Sequence, residues 1–297
     1  MHEIRLAVCS PDEPTCAGIA ARLRGTIVGP CADLAGFRGP PDGYDVAMLV
    51  GRGWQWRDAV DQLLAAGAHV LLVADPCPPA DLVEHLSRSA RTAGVQLAVV
   101  NPDRYLPSRQ LVRQQMAAIG EAGLIRLHRW EPTADHSPEP PQLPDPLLRD
   151  IDLALRLTGR LPDRVYAVEQ KSDGIAGRCL QVHLGFPGGG MALLDYTDRL
   201  PDGEGYQSLS VIASAGAAYT DDHQNAQLLY RGGCPQAIRT EERAGHLAAI
   251  VQEFVDALRE GRDLTAASAT AWRNTYAVAE AVRQSLASGR AVTLEDR

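Results

Sequence analysis

The chain has 297 residues, 45% hydrophobic and 22% charged, with a formal net charge of −8. Such a length buries a large core and is expected to divide into two domains, and the acidic balance argues against a nucleic-acid partner, which needs a basic face. No apolar run approaches the roughly 20 residues needed to cross a bilayer; Met1 to Arg5 leads straight into a strand-like run without a signal-peptide core, so a cytoplasmic protein with no membrane partner is expected.

The first half alternates strand and helix. Ile4 to Val8 is a short apolar strand, Cys16 to Leu23 a helix, Thr26 to Val28 a weak strand and Tyr44 to Val50 an unbroken apolar strand. Trp56 to Ala66 is helical, His69 to Ala74 a buried strand, Asp81 to Ala93 helical, Val95 to Val100 a strand and Ser108 to Glu121 a helix. Strands that are apolar throughout, set between helices, predict a parallel sheet covered on both faces: a doubly wound, Rossmann-like domain over residues 1–122.

Glu131 to Pro146, rich in proline and acidic residues, is expected to be a loop near the domain junction. Leu147 to Leu157 is helical. Strand-like runs follow at Arg164 to Gln170, Gly177 to Phe186, Met191 to Tyr196, Ser208 to Ser214 and Ala226 to Tyr230, separated by Gly/Asp/Pro turns. Helices over His246 to Arg259 and Ser268 to Ser288 close the chain. Clustered strands after a βαβ half predict an α+β second domain, residues 123–297, with a mainly antiparallel open sheet.

Three residue types bound the chemistry. The six cysteines (Cys9, Cys16, Cys31, Cys77, Cys179, Cys234) show no CxxC pair and read as reduced thiols. The eight histidines form no HxxxH or HxH pair, so no metal is expected. Lys171 is the one lysine, in a polar segment that reads as surface, so a mechanism needing a lysine has a single candidate.

Several segments resemble the glucose–fructose oxidoreductase and inositol dehydrogenase (Gfo/Idh/MocA) family in order and spacing. Ala66 to Leu72 resembles its EAGKHVLV segment, Val100 to Pro107 its GHNRRFDP segment, and Gly123-Leu124-Ile125 the turn into its second domain. Asp150 to Leu153 with Thr158-Gly159 resembles HDIDLLRWLTG, and Phe254 to Arg262 resembles FVDAIREGR. Ala279 to Val282 and Gly289 to Val292 complete the resemblance along the last helix and tail. It implies an NAD or NADP site in the first domain, a sugar-like or cyclitol substrate, and oligomers formed through the open sheet of the second domain.

The positions carrying that family's chemistry are altered. The turn after the first strand, Cys9-Ser10-Pro11-Asp12-Glu13-Pro14, has no GxGxxG; two prolines remove N–H donors and two carboxylates oppose a pyrophosphate. A solvated loop is an equally good reading of the same residues. By position, Ser10, Asp33, Gly51, Arg52, Trp56, Pro76 and Asn101 would meet the cofactor. Trp54 and Trp56 read either as an aromatic wall or as packing. The Glu-Lys-Pro lysine falls at Asp75 or Ala74, before Pro76. The DxxxH pair becomes Asp145 and Arg149, and an arginine stays protonated at neutral pH. Arg149 and Arg104 could instead hold a carboxylate or phosphate; alternatively Asp145 caps its helix and Arg149 pairs with it.

Loss of a general acid/base costs roughly 10²–10⁴-fold. Three readings follow: a non-redox descendant that binds a small polar molecule or supports a partner subunit, as a homo-oligomer or beside a family homologue; an NAD(P)-dependent oxidoreductase with an altered cofactor site; and a non-redox enzyme using Asp75, Asp145, Arg149 and Arg104. In the first, the protein needs no cofactor.

Overall fold

The computed structural model describes residues 4–9, 27–31, 44–52, 57–133, 142–170, 177–201, 203–222, 226–231, 235–240 and 246–294. The chain forms two compact units: Met1–Leu106 with Glu242–Arg273, and Pro107–Glu241 with Asn274–Arg297. In chain order the first part holds β1 (Leu6–Cys9), β2 (Ile27–Cys31), β3 (Val46–Arg52), α1 (Arg57–Ala65), β4 (His69–Asp75), α2 (Ala80–Ala93), β5 (Leu97–Val100) and a 3-10 turn (Pro102–Tyr105). Then come α3 (Pro107–Ile119), β6 (Ala122–Pro132), α4 (Asp145–Thr158), β7 (Arg164–Glu169), β8 (Cys179–Gly185), β9 (Met191–Leu200) and β10 (Tyr206–Ala213). The remainder is β11 (Gly216–Asp221), β12 (Ala226–Tyr230), β13 (Gln236–Ile238), α5 (His246–Glu260), α6 (Leu264–Ser288) and β14 (Val292–Thr293).

The first unit is an all-parallel sheet in the order β2-β1-β3-β4-β5. Successive side chains of a strand point to opposite faces, so a strand covered on both sides must be apolar at every position. Val46 to Leu49 and Val70 to Val73 meet that demand and are buried throughout. Met48, Leu71, Val73 and Val100 pack with Ile250, Val251 and Phe254 of α5, while α1 and α2 pack against β4 and β5. Gly94 ends α2 in a left-handed conformation (φ 69°), its N–H reaching the carbonyls of Ala90 and Arg91, a helix stop that glycine adopts without steric cost.

The outer edge of β5 is closed by side chains instead of a sixth strand. Thr265 Oγ1 accepts from the Leu97 N–H, Ser268 Oγ both accepts from and donates to Val99, and Trp272 Nε1 donates to the Val99 carbonyl at 3.0 Å. These residues lie at i, i+3 and i+7 of α6, one helical face. Three of the edge's backbone groups, two N–H and one carbonyl, thereby gain side-chain partners.

The second unit is a nine-stranded sheet in the order β13-β12-β11-β10-β6-β9-β8-β7-β14. All its pairings are antiparallel except β6 with β9. Helix α4 packs on β6 and β9, and α3 on β10 and β11. Ile125, Leu127, Val165, Val182, Leu184, Leu194, Leu209 and Val211 are buried. The opposite face leaves Trp130, Tyr166, Val168, Met191, Ile212 and Tyr230 exposed, with the Trp130 and Tyr206 rings in tilted contact, 4.7 Å between centroids and 38° between planes.

The chain is thus α/β, with a doubly wound parallel sheet followed by a mainly antiparallel open one. Strand β6 occupies residues whose first part was read as a turn and whose end was assigned to a loop. The short strands β11, β13 and β14 were not foreseen either. The helix expected at Cys16 to Leu23 falls outside the described residues.

Candidate functional site

In the first unit the candidate residues collect at one edge. Because all strands run the same way, their carboxyl ends lie together, and open sheets of this kind take ligands at that edge where the strand order reverses. The reversal occurs at β1, which has β2 on one side and β3 on the other. Gly51 and Arg52 end β3 and lie in register with Ala74 and Asp75, which end β4; Pro76 follows β4 and Asn101 follows β5. Asn101 is buried and its Oδ1 accepts the Asp103 N–H at 3.0 Å, capping the 3-10 turn that carries half-buried Arg104. Ser10, Asp33 and Trp56, together with Trp54 and Lys171, lie outside the described residues.

The second unit holds Asp145 and Arg149 on the opening turns of α4. Pro144, extended at φ −60° and ψ 139°, takes the N-cap position without a side-chain cap, so Asp145 is the first helical residue and does not cap. Its carboxylate still favours the positive end of the helix dipole. Asp145 Oδ2 lies 3.9 Å from Arg149 Nη2, with side chains 30% and 13% exposed. Asp152 and Arg156 continue the same helical stripe, four charges alternating in sign at i, i+4, i+7 and i+11. Asp152 is buried and accepts from Thr275 Oγ1 of α6 at 3.5 Å.

No protein-family model matches the chain, and no curated protein matches its sequence. Solved structures do match over nearly the whole length. UDP-N-acetylglucosamine 3-dehydrogenase GnnA from Acidithiobacillus ferrooxidans is similar at a TM-score of 0.73 and 20% identity, covering 96% of this chain and 98% of that one. An oxidoreductase from Agrobacterium radiobacter in complex with NAD+, L-tartaric acid and magnesium gives 0.75 at 16% identity, covering 98% of each. GenD2 from gentamicin A biosynthesis, in complex with NAD, gives 0.70 at 18% identity, covering 100% of this chain and 97% of that one. The chain has a Gfo/Idh/MocA-type oxidoreductase fold.

Within that Gfo/Idh/MocA-type fold, a nicotinamide cofactor can be tested against the residues present. The strand edge fits a dinucleotide in its topology. At the positions that the resemblance assigns to acid/base work, β4 ends in Asp75 followed by Pro76, and α4 presents Arg149 beside Asp145. An arginine neither gives nor takes a proton at neutral pH.

The buried ionic network of the second unit was not found from sequence. Arg129 of β6 forks onto Asp150 of α4, Nε to Oδ2 at 2.9 Å and Nη2 to Oδ1 at 2.7 Å, both side chains 4% exposed. Glu131 lies 3.6 Å from the same guanidinium. Arg178 Nε donates to Glu169 at 2.6 Å, its Nη1 to the Gln142 carbonyl at 2.5 Å, and its backbone N–H to Asp198. Burial, then the neighbouring carboxylates of Asp198 and Glu131, push the Tyr196 hydroxyl well above the usual tyrosine range. The one available signal was a charged residue, Arg129, at an inward position of an alternating strand. Asp150 stands 21 positions away, and only the fold joins them.

A groove of about 680 Å³ lies between α1 and α2, lined by Asp61, His85 and Ser89. Asp61 meets His85 Nε2 at 2.7 Å and accepts from Ser89 Oγ at 2.8 Å. The carboxylate stands between imidazole and hydroxyl, which is not the serine–imidazole–carboxylate order of a catalytic triad. Among the described residues no group of three His, Cys, Asp or Glu side chains could hold a metal ion.

Proposed function

We propose that this protein uses its oxidoreductase fold to bind a small polar molecule carrying a carboxylate or phosphate, and does not carry out ordinary alcohol oxidation. The observation that carries the reading is the Asp145–Arg149 pair at 3.9 Å on the opening turns of α4, where the family's histidine would act. A guanidinium is a poor base and a good bidentate partner for carboxylate or phosphate. In the first unit Arg104, on the 3-10 turn after β5, is a separate candidate anchor. The tartaric acid bound by the Agrobacterium relative makes L-tartrate a fair probe. Its calorimetric titration against wild type and Arg149→Ala tests the reading: binding that the substitution abolishes supports it, and equal binding by both proteins sinks it.

The same proposal includes association with a second copy or a homologous subunit through the open face of the nine-stranded sheet, where Trp130, Tyr166, Val168, Met191, Ile212 and Tyr230 expose apolar surface. A cytoplasmic location belongs to the proposal too. Among the described residues no helix is long and apolar enough to cross a membrane.

A second reading, NAD(P)-dependent oxidation of a sugar-like or cyclitol alcohol, is favoured by the gathering of Gly51, Arg52, Pro76 and Asn101 at the carboxyl edge of the parallel sheet. Quenching of tryptophan fluorescence by NADH or NADPH, followed by turnover with polyols, would support it.

A further inference from the structure

The turn of α4 that carries Asp145 and Arg149 is held from both sides by buried guanidinium groups. Upstream, Arg178 Nη1 grips the Gln142 carbonyl at 2.5 Å, three residues before the helix begins, while its Nε is fixed on Glu169. Downstream, Arg129 makes two near-parallel bonds to Asp150, the residue after Arg149. Arg129 projects from β6, inside the sheet between β9 and β10, and Arg178 from the residue just before β8. The anchor points at 142 and 150 bracket the pair at 145 and 149.

Stability alone does not account for this arrangement. Removing two charges from water is costly, and apolar side chains of similar volume often serve as well or better. What a bidentate pair supplies is direction, because its planar fork is satisfied in one orientation only. Direction matters here, since a ligand-binding side chain must be held to within about half an ångström to be effective. We infer that Arg129 and Arg178 are positioning residues that set the opening turns of α4, and with them the Arg149 guanidinium. The inference rests on the reading of Arg149 as a ligand-facing group, and it names the residues that aim it.

The test uses the full chain with Arg129→Met/Asp150→Leu, which exchanges the fork for packed hydrocarbon, and Arg129→Lys, which keeps the charge but not the fork. Denaturation in urea, amide hydrogen exchange and L-tartrate titration are measured on each. The expected result is a midpoint for the double variant at or above that of wild type, with amides over 145–152 exchanging at least about tenfold faster while those of β6 and β9 are unchanged. Arg129→Lys should loosen the same amides, and serves alone if the double variant does not fold. Unchanged exchange over 145–152, or a uniform rise across the second unit, overturns the inference. Tartrate should bind the double variant at least about tenfold more weakly than wild type; failure to bind wild type counts against the ligand reading, and the exchange pattern still decides the positioning role.

Discussion

The two units cover their sheets with different chemistry. In the first, hydrocarbon does nearly all of it: Met48, Leu71, Val73 and Phe254 interlock, and Asp103 is the one buried charged residue described there. In the second, Arg109, Arg129, Asp150, Asp152, Arg178, Asp198 and Asp221 are buried beside the leucines and valines. An apolar core tolerates many rearrangements of similar volume, whereas a buried ion pair is strongly destabilised when one partner alone is lost. The unit built on such pairs is the one carrying the Asp145–Arg149 turn.

The contrast can be broken most forcefully at Asp150. Asp150→Ala leaves the Arg129 guanidinium buried beside a missing partner and should cost about 3–5 kcal/mol, read from the urea midpoint. A loss below about 1 kcal/mol would mean that the pair is dispensable. In the first unit Leu71→Ala should cost about 3 kcal/mol through the cavity it opens, while Leu71→Met should cost less than about 1.5 kcal/mol. Ser268→Ala, which strips two bonds from Val99 at the β5 edge, should cost about 1–2 kcal/mol.

Changes of pH sharpen the same contrast at opposite ends of the scale. Burial holds the His69 imidazole below its ordinary range, partly opposed by Asp45, and its Nδ1 accepts the Gln96 N–H at 2.9 Å. The neutral ring is the one that fits. Its contribution is therefore complete above an ordinary histidine pKa of about 6.5 and is lost as pH falls below it. His69→Gln should flatten that acid limb in urea titrations. In the second unit the Tyr206 hydroxyl bond, followed by burial, pushes Tyr219 up to about 12. Its contribution is complete below the ordinary tyrosine value of about 10 and is lost as pH rises through 12. Ultraviolet titration of Tyr206→Phe should return Tyr219 toward the ordinary value. The smallest effect on folding belongs to Ile212→Lys on the open face. Monomer stability should move by no more than about 0.5 kcal/mol, while sedimentation should show weakened association.

How much of this was legible follows from the same chemistry. Strands β3, β4 and β5 stand out because burial on both faces demands unbroken apolar runs such as Val70 to Val73. Strand β6 was hidden because Arg129 occupies an inward position and because the strand begins three residues after α3 ends. Strand β11 opens with Gly216-Ala217-Ala218, too small to signal a strand, and β13 and β14 have three and two residues. At the candidate site, the ion pair of Asp145 with Arg149 was visible as an i, i+4 spacing. The capping role was not Asp145's, since Pro144 takes that position. The Arg129–Asp150 fork joins a strand to a helix and has no local signature at all.

The proposed binding function rests on Arg149, a guanidinium, standing where alcohol oxidation would need a proton-exchanging group. The decisive measurement is nicotinamide absorbance while the full chain is incubated with NAD+ or NADP+ and a panel of sugars, cyclitols and hydroxy acids. The account predicts no reduced cofactor above the protein-free background for any of them. Sustained reduction that Arg149→Ala abolishes would contradict it.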